Sequence, residues 1–366
     1  MDDVRTWRVP GRVNLIGEHL DYNGGPSLPF AIDRHVTLKA RRRDDATINA
    51  WTTLPDGRRD KATWSSRDDD PRSGWVGYVA GTARAVREAT GAAVGADLVV
   101  ESDVPLGAGL SSSAALTVAV AAAMSDLSGA DLTPLQLARL SQHAENTATG
   151  APTGLMDQLA VTFGRAGHAV LVRPLREEPV ERLVPWDPSA AGLALLVIDT
   201  RVSHQLSDGG YGERREECER AAAELGVEHL ADAGLQALVG LQDPVLAART
   251  RHVFTETARV TAALRSLGEG EWGQLGTVLT ASHTSLRDDF AVSCAELDVA
   301  VEAATEAGAL GARMTGGGFG GSAIALVRQD KAAAVRELVE HRFDALGWAA
   351  PAVFAVRPGD GAHRAE

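Results

Sequence analysis

The chain has 366 residues, 45% hydrophobic and 23% charged, an ordinary globular balance that exceeds one core and predicts two domains. No stretch approaches the apolar length of a membrane span, and the acidic start MDDVRTW lacks the basic and apolar regions of a secretory leader, so a cytoplasmic protein is expected. A formal net charge of −13 argues against nucleic acid and membrane surfaces as partners, and two cysteines without C-x-x-C spacing point to neither a disulfide scaffold nor a zinc site.

The first chemistry-bearing segment is GRVNLIGEHLDYNGG, Gly11 to Gly25, which gathers Arg12, Glu18, His19, Asp21 and Tyr22 among turn-forming glycines. Two carboxylates and an imidazole offer acceptors and a protonation-switchable donor, as several sugar hydroxyls require; alone, the segment equally fits a solvated turn. HVTLKARRR predicts a strand over 35–43, GYVAGTARAVREA a helix over 77–89, and ADLVVES a strand over 96–102. Next comes PLGAGLSSSAAL, a loop between that strand and a helix opening near Ser112. Unpaired N–H groups and the positive end of the helix dipole converge there, which makes an anion site. Gly107 and Gly109 allow close approach of the backbone, and three serines can donate to phosphate or hold a hard cation; a glycine turn with a serine N-cap is the plainer alternative.

TPLQLARLSQHAENTA predicts a helix carrying Glu145, and GLMDQLAV a helix with Asp157 in its first turn, placed either to serve the dipole or to orient a hydroxyl proton. Strands are expected at HAVLVRP and ALLVIDT, with a domain boundary between them in the proline- and charge-rich residues 176–192. YGERREECERAAAEL and CAELDVAVEAATEAG read as helices. GGGFGG, 316–321, matches a dinucleotide fingerprint in letters but precedes the strand-like SAIALV rather than a helix, so that reading is rejected. The only lysines, Lys39, Lys61 and Lys331, lie outside any Walker setting, which excludes a P-loop. Strands and helices do not alternate steadily, so the expected class is α+β rather than doubly wound.

Six segments in order, GRVNLIGEHLDYNGG, VPLGAGLSSSAAL, GLMDQLAV, SDGGYGERREECE, SHTSLRDDFAVSCAELD and MTGGGFGGSAIAL, resemble the GHMP kinase family, the first of them its galactokinase signature. The resemblance implies an N-terminal ribosomal-protein-S5-like domain, drawn here as 1–185, a ferredoxin-like C-terminal domain, 186–366, and ATP between them. It implies that Gly107, Ala108, Gly109, Leu110, Ser111, Ser112 and Ser113 cradle ATP phosphates, with Trp75 near the adenine and Gly317 and Gly318 shaping the site. Ser113 and Glu145 would hold Mg2+. Glu18, His19, Asp21, Gly154 and Tyr211 would contact the sugar, with Asp157 as catalytic acid/base and Arg12 stabilising charge or the anionic form of Asp157. The implied reaction moves the γ-phosphoryl group of ATP to the C1 hydroxyl of galactose. A kinase for N-acetylgalactosamine, galacturonate or arabinose, and a non-catalytic sugar sensor, are the alternatives; a monomer is expected. Two departures stand out: Leu20 replaces a usual threonine, which removes a hydroxyl beside the sugar residues, and few residues precede the first signature, which predicts a trimmed sheet edge or lid.

Overall fold

The computed structural model describes residues 4–54, 57–150, 152–203, 207–234 and 237–365. The chain opens with strands β1 (Arg5–Asn14), β2 (Pro29–Arg43), β3 (Thr47–Thr53) and β4 (Arg59–Ser65), then helix α1 (Gly74–Thr90) and strand β5 (Gly95–Ser102). β5 inserts between β2, to which it is antiparallel, and β3, to which it is parallel. Helices α2 (Ser112–Ser128), α3 (Pro134–Thr149) and α4 (Met156–Phe163) follow, and α1, α2 and α3 pack against one another. The alanine-rich α2 is apolar around most of its circumference, as a helix enclosed on all sides must be, and it lies on β1 and β2.

A two-stranded ribbon, β6 (His168–Val172) and β7 (Val180–Pro185), leads into β8 (Leu193–Ser203). The second half continues with helices α5 (Ser207–Leu225), α6 (Ala237–Gly240), α7 (Pro244–Glu269), α8 (Trp272–Asp288) and α9 (Ala295–Glu306). It closes with β9 (Gly311–Thr315), β10 (Gly320–Arg328), α10 (Ala332–Ala345), β11 (Ala352–Val356) and β12 (His363–Ala365). Its antiparallel sheet runs β11-β8-β10-β9, fourth-first-third-second in chain order with helices after the first and third strands, the ferredoxin-like arrangement.

The α+β architecture is therefore as expected, and the strands and helices anticipated at 35–43, 77–89, 96–102, 168–174, 194–200, 211–225 and 294–308 all lie where those segments were placed. Three features go beyond that reading. The hairpin β3–β4 and the long pair α7–α8 are not among the anticipated elements. The last strand, β12, returns to the first sheet and pairs with β1, so a cut at 185/186 leaves residues 363–365 in the sheet of the other half. A single continuous hydrophobic cluster runs from Trp7 in the first sheet to Val356 in the second, joining both halves. No helix among the described residues is long and apolar enough to cross a membrane.

Candidate active site

The site grows from β1. Its pairing with β2 shifts register between Pro10 and Arg12, where the carbonyl of Leu110 approaches Gly11 too closely for any side chain. The Arg12 N–H then donates to Leu110 O at 3.0 Å, stitching the strand to the 107–113 loop. The Arg12 guanidinium, almost wholly buried, forms a two-pronged pair with Asp157: Nε to Oδ1 at 2.7 Å and Nη2 to Oδ2 at 2.8 Å. Its third bond, Nη1 to Gly109 O at 2.5 Å, ties the same cation to the loop. Planar fork and carboxylate match in geometry, so Asp157 is held in one orientation.

In the loop, residues 107, 109 and 111 all take positive φ, turning successive N–H groups toward one concavity ahead of α2. Ser111 occupies the N-cap position, but its hydroxyl makes no cap; it donates to Asp157 Oδ2 at 2.5 Å. The plain N-cap alternative thus fails, because the serine serves the carboxylate instead of the helix. Ser113 Oγ donates to Glu145 Oε1 at 2.6 Å, and Gln158 Nε2 donates to Glu145 Oε2 at 2.7 Å. Burial pushes the Glu145 carboxyl up to about 7 despite the Ser113 hydrogen bond. A sequestered carboxylate and a hydroxyl beside the 107–113 loop are a hard-oxygen set that suits a divalent cation, whose charge would offset that desolvation.

On the other side of Asp157 lies a cavity of about 180 Å³ lined by Arg12, Glu18, His19, Asp21, Gly154, Asp157 and Tyr211, together with Thr153, Met156, Gly316 and Gly317. All five residues assigned to sugar contact therefore meet at one surface. Glu18 is anchored by Gly316 N–H at 2.7 Å, Thr315 Oγ1 at 3.1 Å and the buried Arg313 guanidinium at 3.1 Å. Arg313 was not legible as a site residue, since a single arginine in an apolar strand carries no periodic or motif signal. His19 Nδ1 pairs with Tyr22 Oη at 2.9 Å. Burial, with His252 nearby, lowers His19 to about 3, so the ring stays neutral near physiological pH and is not the protonation switch its residue type suggested.

A second cavity, of about 580 Å³, opens beyond Ser112 and is bounded by Leu106, Leu116, Val100, Trp75 and Arg201. Trp75 lines it while donating its indole N–H to Asp60 Oδ2 at 2.8 Å. The serine-rich loop thus reaches both spaces, through the Ser111 bond to Asp157 at the smaller and through Ser112 at the larger, the division that a sugar and a nucleotide would need.

Comparison with known proteins follows this geometry. Residues 2–42 match the galactokinase galactose-binding signature, residues 77–165 the GHMP kinases N-terminal domain and residues 262–345 the GHMP kinases C-terminal domain. A galactokinase of Streptomyces coelicolor is 47% identical over 98% of this chain and 93% of its own length. The chain belongs to the galactokinase family of GHMP kinases. A galactokinase of Mycobacterium tuberculosis is 44% identical over 98% of each chain. A Lactococcus lactis galactokinase solved in complex with galactose superposes with a TM-score of 0.91 at 31% identity, covering 99% of this chain and 95% of that one. The mevalonate kinase of Methanococcus jannaschii, at 17% identity and a TM-score of 0.71, shares the fold.

Within this galactokinase-family chain the departure at position 20 has a structural answer. Leu20 is fully buried and packs against Gly25 beneath the turn, and it is not among the residues that line the small cavity. The substitution therefore alters the core under the sugar residues rather than removing a hydroxyl from the cavity wall. Of the two glycines assigned to the nucleotide side, Gly317 lies on the small cavity against Tyr211, and Gly318 is turned onto the Val292 carbonyl.

Asp21 supplies a pH test of the kinase fold. Burial, reinforced by the charges of Asp157 and Glu18, pushes its carboxyl up from 3.8 to about 7. The folded chain holds a proton there that the unfolded chain has released, so this contribution to stability is complete at acid pH and is lost as pH rises toward about 7. Asp21→Asn has no such loss. Its melting temperature relative to the parent should rise by a few degrees between about pH 4 and pH 7 in the absence of ligands. A pH-independent difference would show that Asp21 is ionised at little cost in its cavity.

Proposed function

We infer that this chain is an ATP-dependent galactokinase, transferring the γ-phosphoryl group of ATP to the C1 hydroxyl of α-D-galactose. The observation that carries this reading is the position of Asp157. Its carboxylate lines the small cavity while Arg12 and Ser111 clamp it at the edge of the 107–113 loop. A sugar in that cavity and a triphosphate on the loop would have their reacting atoms meet beside it.

In the step so arranged, the C1 oxygen attacks the γ-phosphorus as the bond from that phosphorus to the β,γ-bridging oxygen breaks, and ADP leaves with the electron pair. The hydroxyl proton passes to Asp157, which the two-pronged Arg12 pair holds correctly turned, and from there to solvent. Phosphoryl transfer through a loose transition state asks mainly for alignment and charge stabilisation. The loop N–H groups and the α2 dipole supply both for the phosphates. Magnesium, held by Glu145 and Ser113, would neutralise phosphate charge. Among the described residues there is no cluster of three or more His, Cys, Asp or Glu, so Glu145 and Ser113 would be this chain's contribution to holding the ion.

The deciding assay is ADP release with Mg-ATP across galactose, glucose, N-acetylgalactosamine, galacturonate and arabinose, with the phosphosugar identified by NMR. Strong turnover on galactose giving the 1-phosphate is expected. Turnover confined to another sugar moves the assignment within the fold, and galactose binding without ADP release makes the protein a sensor. Glu145→Gln is expected to raise the magnesium concentration needed for half-maximal rate by about tenfold or more, leaving galactose binding intact. An unchanged magnesium dependence would remove Glu145 from the cation site.

A further inference from the structure

The turn that presents Glu18 and His19 is gripped, residue by residue, from the second half of the chain. Gly17 N–H donates to Glu256 Oε1 at 3.0 Å, the Glu18 carbonyl lies 3.2 Å from His252 Nε2, and the His19 ring packs on Phe290 with centroids 4.6 Å apart. Phe290 in turn packs on His252, again at 4.6 Å. The turn needs this support, because Gly17 and His19 both adopt positive φ, 98° and 61°, and a side chain at residue 19 tolerates that backbone only where its surroundings impose it.

The grip is rigid. Glu256 is fully buried, and its other bonds come from Ser282 Oγ at 2.8 Å and Arg259 Nε at 2.6 Å, so the acceptor facing Gly17 is fixed before any ligand arrives. His252 is also fully buried and, lowered to about 4 by that burial, stays neutral. A carbonyl can only accept, so the ring proton sits on Nε2 toward Glu18; Nδ1 lies 3.0 Å from Ser285 Oγ, a hydroxyl that also donates to Asp289 Oδ2 at 2.9 Å. Neither α7 residue lines the sugar cavity.

We propose that His252 and Glu256 are positioning residues for sugar recognition, setting from α7 where the Glu18 and His19 side chains stand in the cavity. The inference rests on the sugar-site reading above. A pair that only stabilised the fold would lower the melting temperature and leave both substrates' KM values alone, whereas a positioning pair acts on the galactose KM selectively.

His252→Phe keeps the ring stack and deletes the donor, His252→Gln restores a donor, and Glu256→Gln keeps volume while disturbing the grip on Gly17. Galactose KM, ATP KM and melting temperature are measured for each beside the parent. His252→Phe and Glu256→Gln should raise galactose KM about tenfold, as expected when a buried backbone group loses its partner, with ATP KM held within about twofold. His252→Gln should recover most of the loss. An unchanged galactose KM in His252→Phe, or parallel rises for both substrates, overturns the proposal; should Glu256→Gln fail to fold, the two His252 variants decide. A parent chain that releases no ADP with galactose would instead defeat the underlying sugar-site reading.

Discussion

Replacing Asp157 with Asn is expected to lower kcat by about 10²–10⁴-fold while the galactose dissociation constant changes by no more than about threefold. The substitution keeps shape but removes the proton acceptor, and it sets an amide N–H against one of the two Arg12 donors that now bond the carboxylate at 2.7 and 2.8 Å. Arg12 keeps its bond to Gly109 O, and Glu18, His19, Asp21 and Tyr211 are untouched, so the sugar cavity survives. Isothermal titration with galactose and steady-state kinetics on the same preparation separate the two quantities. Equal losses in turnover and affinity would make Asp157 a structural clamp for Arg12 rather than the group that handles the proton.

Gly154→Ala is expected to raise galactose KM by roughly a hundredfold with little change in ATP KM. Gly154 passes so close to Asp21 that a methyl group there would overlap the carboxylate oxygen Oδ2 itself. Asp21 is buried and short, so it can yield only by leaving its place in the cavity, and a displacement of about an ångström at a substrate-positioning group has effects of this size. Adding Asp21→Ala to Gly154→Ala tests the cause, since the two losses should then be far from additive. Independent, additive losses would mean that Gly154 acts on the sugar by its own backbone and not through Asp21.

The parts of the site that were legible in sequence are those whose chemistry is local. A run of glycines and serines ahead of an alanine-rich helix announces unpaired N–H groups whatever surrounds it, and Glu18, His19 and Asp21 fall within four residues of one another. Asp157 was legible only as a first-turn carboxylate with two readings, and Glu145 only by resemblance, because a carboxylate in a helix looks the same whether it faces solvent or substrate. Arg313, His252 and Glu256 left no signal, and Phe290 stood unremarked inside a quoted segment. Each is an ordinary letter in a helix, strand or loop, and its importance comes from contacts with residues hundreds of positions away.

Local propensity and apolar patterning were enough to establish the α+β class and to mark the glycine-serine loop and the polar turn at 18–21 as candidates, since these follow from backbone geometry and short-range hydrogen bonding. Tertiary packing decided the rest. It turned the Ser111 hydroxyl from a helix cap into a partner of Asp157, kept the His19 ring neutral near physiological pH by burying it, sent Leu20 into the core, and returned β12 to the first sheet. Those outcomes depend on desolvation and on which distant groups arrive within about 3 Å, and neither quantity is encoded in any short window of the chain.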